Sequence, residues 1–252
     1  MKSTEHKSGT GKIALITGAA GTMGGAVARG LISEGYRVVA ADVRKEDVED
    51  AARELGNDTY SIAFDVSDYE ACRRAMDTVR NDVGDPAVLV NNAGILAQNK
   101  VAGTTPEEWR RVMSINLDGA FYLSQLCLPA MIEQKWGRIV NTSSYAAKSG
   151  GITAGTAYSV SKAALIGLTF SLAAETTKTG VTVNAIAPAY VRTPMVDKQL
   201  TDEQRAEVIK KIPVGRYCEP EEYAHVVNFL VSPLAGFITG EVIDQNGGFH
   251  FD

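Results

Sequence analysis

The segment Tyr158-Ser159-Val160-Ser161-Lys162 sets a phenol and an ammonium four residues apart, which puts both on one face of a helix. A free phenol ionises near about pH 10 and is a poor proton carrier at neutral pH. A neighbouring cation stabilises the phenolate and brings proton exchange within range. Because solvated helices carry many such pairs, the surrounding residues decide the reading. Ser143-Ser144 closes an apolar run shortly before this segment, and Asn116 sits between Ile115 and Leu117 in a long helical stretch. A polar amide among apolar neighbours needs a partner, structural or functional. Phenol, ammonium, hydroxyl and amide together suit proton transfer at a substrate oxygen.

A second group of residues suits phosphate. Thr17-Gly18-Ala19-Ala20-Gly21-Thr22-Met23-Gly24 follows an apolar run and opens a helical pattern. Glycines let such a turn approach a pyrophosphate closely, and the open N–H groups of the helix favour the anion. An ordinary tight connection would use the same residues. Asp42, however, ends the next apolar run, where a carboxylate accepts both hydroxyls of an adenosine ribose and repels a 2′-phosphate. That favours NAD over NADP. Arg44 and Lys45 lie close enough to oppose this, although solvated surface charge explains them as well. Asp65-Val66 and Asn91-Asn92-Ala93-Gly94 end the third and fourth runs, where adenine and the rest of a dinucleotide would lie.

These residues need a scaffold that brings run ends together. Strands are expected at Lys12–Thr17, Arg37–Ala41, Thr59–Phe64, Ala87–Val90, Arg138–Asn141, Val181–Ala187 and Glu241–Asp244. Helices are expected at Ala26–Glu34, Lys45–Leu55, Tyr69–Val83, Pro106–Glu133, Thr156–Lys178 and Glu219–Val231, the long Pro106–Glu133 segment accommodating Gly119 and Pro129 with a bend. Strands alternating with helices imply an α/β fold with a doubly wound parallel sheet. Ligands bind such sheets beyond the carboxyl ends of the strands, which is where the motifs fall. Residues 1–11 are expected to be a flexible segment. Residues 12–252 then form one domain, with an irregular stretch from Ala189 to about Tyr217 serving as a substrate lid.

In this order the motifs resemble the short-chain dehydrogenase/reductases, in the branch of about 250 residues. The resemblance runs from Lys12 to Gly247-Gly248 through TGAAGTMG (Thr17–Gly24), NNAG (Asn91–Gly94), Asn116, Ser143-Ser144, YSVSK (Tyr158–Lys162) and NAIAPAYVRTP (Asn184–Pro194). It implies a single Rossmann-fold domain and hydride transfer between a nicotinamide and a secondary alcohol or ketone. In that family pattern Tyr158 is the general acid/base, and Lys162 lowers its pKa while holding the nicotinamide ribose. Ser144 hydrogen-bonds the reacting oxygen, and Asn116 helps seat a water that links Lys162 to solvent. Gly18, Thr22, Met23, Asp42, Asp65, Val66, Asn92 and Gly94 would line the cofactor, and Pro188, Val191 and Thr193 would surround the carboxamide. Three departures stand out: Thr22 and Ala189 replace usual glycines, and Ser144 lies one residue further from Tyr158 than is common. A one-residue bulge would absorb that extra residue, with Ser143 the second choice for the hydroxyl.

For substrate, Tyr145, Tyr190, Met195, Gln98 and Gln199 are the expected walls. The position where related 3-hydroxybutyrate dehydrogenases place a basic residue is Gly155 here, leaving Lys148 or Arg192 as substitutes. The expected reaction is therefore NAD-dependent oxidation of a small polyol, sugar or hydroxy acid. The alternative is an NADPH-dependent 3-oxoacyl-carrier-protein or acyl-CoA reductase. A nucleotide-sensing protein with an inactive site is a third class, since fold alone does not imply activity.

Composition narrows the partners. The 25 Lys+Arg against 30 Asp+Glu give a net charge of −5, opposing general nucleic-acid binding. No apolar run suggests a signal peptide or membrane anchor. Cys72, Cys127 and Cys218 are far apart and read as reduced thiols of a cytoplasmic protein. His6, His225 and His250 share no ligand spacing, so no metal site is expected. The resemblance adds a homotetramer, with the helices after Pro106 and Thr156 at one interface and the C-terminus at another.

Overall fold

Continuous apolar runs become strands buried on both faces. The computed structural model describes residues 9, 11–56, 59–194, 196 and 201–251. Its strands are β1 (Ile13–Thr17), β2 (Arg37–Asp42), β3 (Thr59–Ala63), β4 (Val88–Asn91), β5 (Gly137–Thr142), β6 (Val181–Pro188) and β7 (Val242–Gln245). They form one parallel sheet in the order β3-β2-β1-β4-β5-β6-β7. The order reverses between β1 and β4, which opens a crevice beyond their carboxyl ends.

The helices are α1 (Thr22–Ser33), α2 (Lys45–Leu55), α3 (Tyr69–Asp82), α4 (Pro106–Met113), α5 (Gly119–Glu133), α6 (Ala146–Ser149), α7 (Thr156–Thr176), α8 (Asp202–Lys211) and α9 (Pro220–Val231). Alternate strand residues feed two cores. Ala14, Ile16, Val90 and Val140 pack with Val27 and Leu31 of α1 and Tyr223 and Leu230 of α9. Ile13, Leu15, Leu89 and Ile139 pack with Met76 of α3, Leu123 and Met131 of α5 and Leu172 of α7. Burial on both sides explains why these strands read as unbroken apolar runs rather than alternating ones.

The structure differs from the sequence reading at two places. The long helix expected over Pro106–Glu133 is interrupted by a π-helical turn, Ser114–Asp118, that carries Asn116. Such bulges re-aim one residue out of the regular register and recur at functional sites. The stretch expected to be irregular contains α8, opened by a reciprocal capping box between Thr201 and Gln204. Within the first eleven residues, Gly9 N–H donates to Glu34 O at 2.9 Å and Gly11 N–H to Gly35 O at 3.2 Å, tying both to the turn after α1. α7 is long and apolar enough, by length and composition, to cross a membrane. Here it lies against the sheet with Ser161, Lys162 and Thr169 buried on that side.

Candidate active site

The carboxyl end of β5 is where the catalytic group is assembled. Ser143 N–H donates to Ile186 O at 2.8 Å, and its hydroxyl donates to Lys162 O at 2.8 Å, so this serine ties α7 to the sheet. The next residue turns the other way. Ser144 Oγ accepts from Ala146 N–H at 3.1 Å and hydrogen-bonds the Tyr158 side chain, which places it in the cleft. Ser144 is thus the hydroxyl that reaches the Tyr158 side chain, while that of Ser143 is spent on Lys162 O. The extra residue before Tyr158 is taken up between α6 and α7, where Gly150 and Gly151 are both left-handed.

Lys162 lies on the same face of α7, one turn on from Tyr158, with its Nζ 5.8 Å from the phenol ring centroid. The ammonium donates to Thr142 O at 2.7 Å rather than bonding the phenol directly. Burial pulls Lys162 down to about 8. Burial pushes Tyr158 up, with the Ser144 hydrogen bond opposing. The ammonium and the phenol thus share a poorly solvated place without a direct hydrogen bond between them. The Asn116 amide is largely spent on the protein. Its Oδ1 accepts from Ile95 N–H at 2.8 Å, and its Nδ2 donates to Ile95 O and Ser161 Oγ, each at 3.0 Å. Oδ1 and Lys162 Nζ each lie 3.3 Å from where a Cβ on Gly94 would stand, so the two groups border the same small-residue turn.

A groove of about 590 Å³ adjoins this cleft at the switch point of the sheet. The phosphate turn forms one wall. A Cβ on Gly24 would stand 2.2 Å from Gly18 O, so only glycine permits this close turn-to-helix packing. Gly21 caps α1 with no side-chain hydrogen bond, which leaves the first helical amides open to an anion. The turn is stapled from β4. Asn92 Nδ2 donates to Thr17 O at 3.0 Å, and Thr17 Oγ1 accepts from the N–H groups of Asn92 and Ala93 at 3.0 Å each. At the far end Asp42 accepts from Val43 N–H at 2.8 Å and Ala20 N–H at 3.2 Å, which fixes its carboxylate at the groove edge. Open amides at one place and an oriented carboxylate beyond them fit a pyrophosphate and a ribose, the two ends of an adenosine diphosphate moiety.

Comparison with known proteins agrees with this geometry. A family model described as enoyl-(acyl carrier protein) reductase matches residues 18–250. The 3-oxoacyl-[acyl-carrier-protein] reductase FabG of Haemophilus influenzae is 37% identical over 240 residues, covering 95% of this chain and 98% of the relative. Nodulation protein G of Azospirillum brasilense is 39% identical over 247 residues, covering 95% and 98%. The chain belongs to the short-chain dehydrogenase/reductase family. Among solved structures, a short-chain dehydrogenase/reductase from Brucella melitensis, titled glucose/ribitol dehydrogenase, superposes with a TM-score of 0.90. It is 30% identical and covers 97% of this chain and 99% of its own.

In this short-chain dehydrogenase/reductase, Gly18, Thr22, Met23, Asp42, Asp65, Val66, Asn92, Gly94 and Thr193 border the groove. Pro188, Val191, Tyr145, Tyr190 and Tyr158 border the cleft with Ser144 and Lys162. Thr22 is tolerated because the crowding lies at Gly24, while the Thr22 side chain is exposed at the start of α1. Ala189 keeps regular geometry and donates its N–H to Gln245 O at 3.0 Å.

Other expectations are corrected. Gln98 is exposed and does not border the cleft, because the chain there turns outward after buried Ala97. Gln199 and Met195 lie outside the described residues. Neither substitute cation is available: Lys148 pairs with Asp244 at 2.5 Å, and Arg192 pairs with Glu219 at 3.0 Å. Gly155 has no room for a basic side chain, since a Cβ there would meet Asn99 O at 2.5 Å. The reading missed Leu96, Ile152, Thr153 and Val196 as cleft walls. Leu96, Ile152 and Thr153 sit in loops without periodicity, where the Gly150-Gly151 pair just ahead of Ile152 was the one available signal, and Val196 lies in a short helical stretch beside residues outside the described ones.

Proposed function

We propose that the protein reduces the 3-oxo group of an acyl thioester to a 3-hydroxyl, with the acyl chain in the cleft and a nicotinamide dinucleotide in the groove. The observation that carries this reading is the charge and polarity of the cleft. Among the described residues lining it, Lys162 is the only charged one, and Ile95, Leu96, Ile152 and Val196 give it apolar walls. A hydroxy acid would meet no free cation for its carboxylate. A polyol would find hydroxyl partners in Ser149, Thr153, Tyr145 and Tyr190 but would also meet the apolar walls, where an unpaired hydroxyl costs free energy. A neutral acyl chain with one polarised carbonyl matches both the walls and the polar floor. The similarity to named 3-oxoacyl reductases across almost the whole chain supports the same substrate class.

When bound, the nicotinamide supplies the hydride. The chain's part is to hold the ketone oxygen between Ser144 Oγ and the Tyr158 hydroxyl and to deliver the Tyr158 proton to it as negative charge develops. Lys162 steadies the resulting phenolate, and Asn116 fixes the turn at Ile95 against which the reactants sit. For the cofactor, Asp42 favours NADH, against the NADPH that the resemblance associates with 3-oxoacyl reductases. Arg44 and Lys45 leave that preference unopposed, being paired with Asp47 and Glu49 on the surface of α2. Asp42 equally suits an NAD-linked polyol or sugar dehydrogenase, which is the second reading.

The test is absorbance at 340 nm across acetoacetyl-CoA, a 3-oxoacyl carrier protein and a panel of polyols, sugars and hydroxy acids, each with both cofactors. Reduction of the thioesters at rates well above oxidation of the panel is expected. Turnover confined to polyols or sugars would overturn the substrate assignment. We place the protein in the cytoplasm as a homotetramer on the same reading. Exposed Phe121 of α5 with Val160 and Phe170 of α7 supply one apolar face, and Leu234, Phe237 and Phe251 near the C-terminus a second. Light scattering that returns the mass of one chain would exclude the assembly.

A further inference from the structure

The groove that takes the dinucleotide has an unfavourable charge balance if only its sequence-predicted residues are counted. Asp42 and Asp65 both border it, and the ligand brings a diphosphate of the same sign. Asp65 is engaged locally, accepting from Ser67 N–H at 2.9 Å and Ser67 Oγ at 2.7 Å. One cation stands among the described residues of the lining, Arg111. It comes from the last turn of α4, one helical turn before Ile115, so both side chains project from one face into the groove.

Arg111 is not committed elsewhere. Its neighbour Arg110 is the one that pairs with Glu107, and Glu108 accepts from Asn99 Nδ2 at 2.7 Å. Among the described residues no carboxylate is paired with Arg111. Its backbone, by contrast, is held firmly. Val112 is buried, Ser114 Oγ donates to Arg111 O at 3.0 Å, and the π-helical turn that follows is pinned by Asn116 to Ile95. An exposed guanidinium on a fixed helix end, lining the same groove as two carboxylates, is placed to meet an anion as it enters.

We propose that Arg111 is a cofactor-binding residue, pairing with the diphosphate of the dinucleotide and offsetting Asp42 and Asp65. The inference rests on the dinucleotide groove assigned above but not on the choice of substrate. It makes Arg111 act on affinity, not on the chemical step, because it lies away from Tyr158 and Ser144.

The experiment is a fluorescence titration of NADH, with calorimetric titrations of ADP and adenosine, into the wild type, Arg111→Gln and Arg111→Lys at low and high salt. Arg111→Gln should weaken NADH and ADP by roughly 3- to 10-fold at low salt, the range for an exposed charge-assisted contact. Adenosine, which has no phosphate, should be unaffected. The difference should shrink at high salt, and Arg111→Lys should recover most of the affinity. Unchanged NADH affinity in Arg111→Gln, or an equal loss for adenosine, overturns the proposal while leaving the groove assignment standing. A wild type that binds none of NADH, NADPH and ADP overturns the groove assignment itself.

Discussion

The groove and the cleft meet at Met23, Asn92, Gly94, Ile95 and Thr193 but are built on different principles. Groove contacts come from strand ends and the turns stapled to them: β1 carries the phosphate turn, β2 carries Asp42, and Asn92 beyond β4 locks the turn with its amide. The cleft walls come from two loops held by a few side chains. Lys100 Nζ donates to Gly151 O at 2.5 Å and Ala154 O at 2.7 Å, and Tyr190 OH shares a 3.1 Å hydrogen bond with Thr153 Oγ1. A position fixed by sheet register is the same for any substrate. A position fixed by a lysine clamp or a lid helix is free to vary. The fixed contacts therefore sit on the strand ends and on α7 packed against them, and the adjustable ones in what is strapped over them.

The sharpest way to test that division is to remove the acid/base of the cleft, which the groove does not use. Tyr158→Phe should cut turnover by about 10³-fold, the range for a positioned acid/base, while NADH affinity stays within about twofold. Near-normal turnover would end the acid/base assignment. The pH profile sharpens the same point. Burial keeps Tyr158 protonated through neutral pH, so reduction, which consumes its proton, should be level from about pH 6. It should fall above about 8, where Lys162 loses the charge that steadies the phenolate. Oxidation of the 3-hydroxy product needs the phenolate, which burial makes harder to form, so it should stay slow through neutral pH and climb only in the alkaline range; an oxidative rate already at its plateau at neutral pH would contradict the assignment.

Groove variants come next in size. Gly24→Ala forces a Cβ to within 2.2 Å of Gly18 O, so the turn must shift. A displacement of about 1 Å at a phosphate site should cost about 10²-fold in dinucleotide affinity. Asp42→Ala should weaken NADH by about 10-fold through loss of charge-assisted hydrogen bonds and leave NADPH as good as before or better. An unchanged cofactor ratio would remove Asp42 from the ribose.

The same division explains what could be read from residues alone. Strand positions came within a residue or two because burial on both faces leaves continuous apolar runs, and the motifs of the groove fall at their ends. Tyr158, Lys162 and Ser144 were legible because helical spacing and one serine pair constrain them. The π-helical turn was not, since Ser114–Asp118 keeps an ordinary helical composition and its register shift arises from Asn116 bonding Ile95. Gln98 was misplaced because a loop gives no period from which to tell inward from outward. α8 did carry a signal, the Thr201-x-x-Gln204 capping pattern, obscured by the polar residues around it.

Wall variants should leave the floor intact. Lys100→Met removes both hydrogen bonds to the loop that carries Ile152 and Thr153, and the carbonyls it leaves can turn to water. The expected result is a rise of about 5-fold in KM for the acyl substrate, with kcat and NADH affinity little changed. A fall in kcat of the Tyr158→Phe size would show that loop and floor are one unit.

The smallest effect should come from Thr201→Ala. Thr201 Oγ1 accepts from Gln204 N–H at 3.3 Å and Gln204 Oε1 from Thr201 N–H at 2.9 Å, and no residue of α8 is fully buried. Losing an N-cap costs about 1 kcal/mol. If the lid opens independently of the sheet, that loss falls on local opening alone. Amide exchange in α8 should then quicken by roughly 5-fold, with the melting temperature of the whole protein unchanged. A melting temperature lowered by several degrees would show that the lid unfolds with the sheet. The contrast between fixed floor and adjustable wall would then be one of composition only, not of stability.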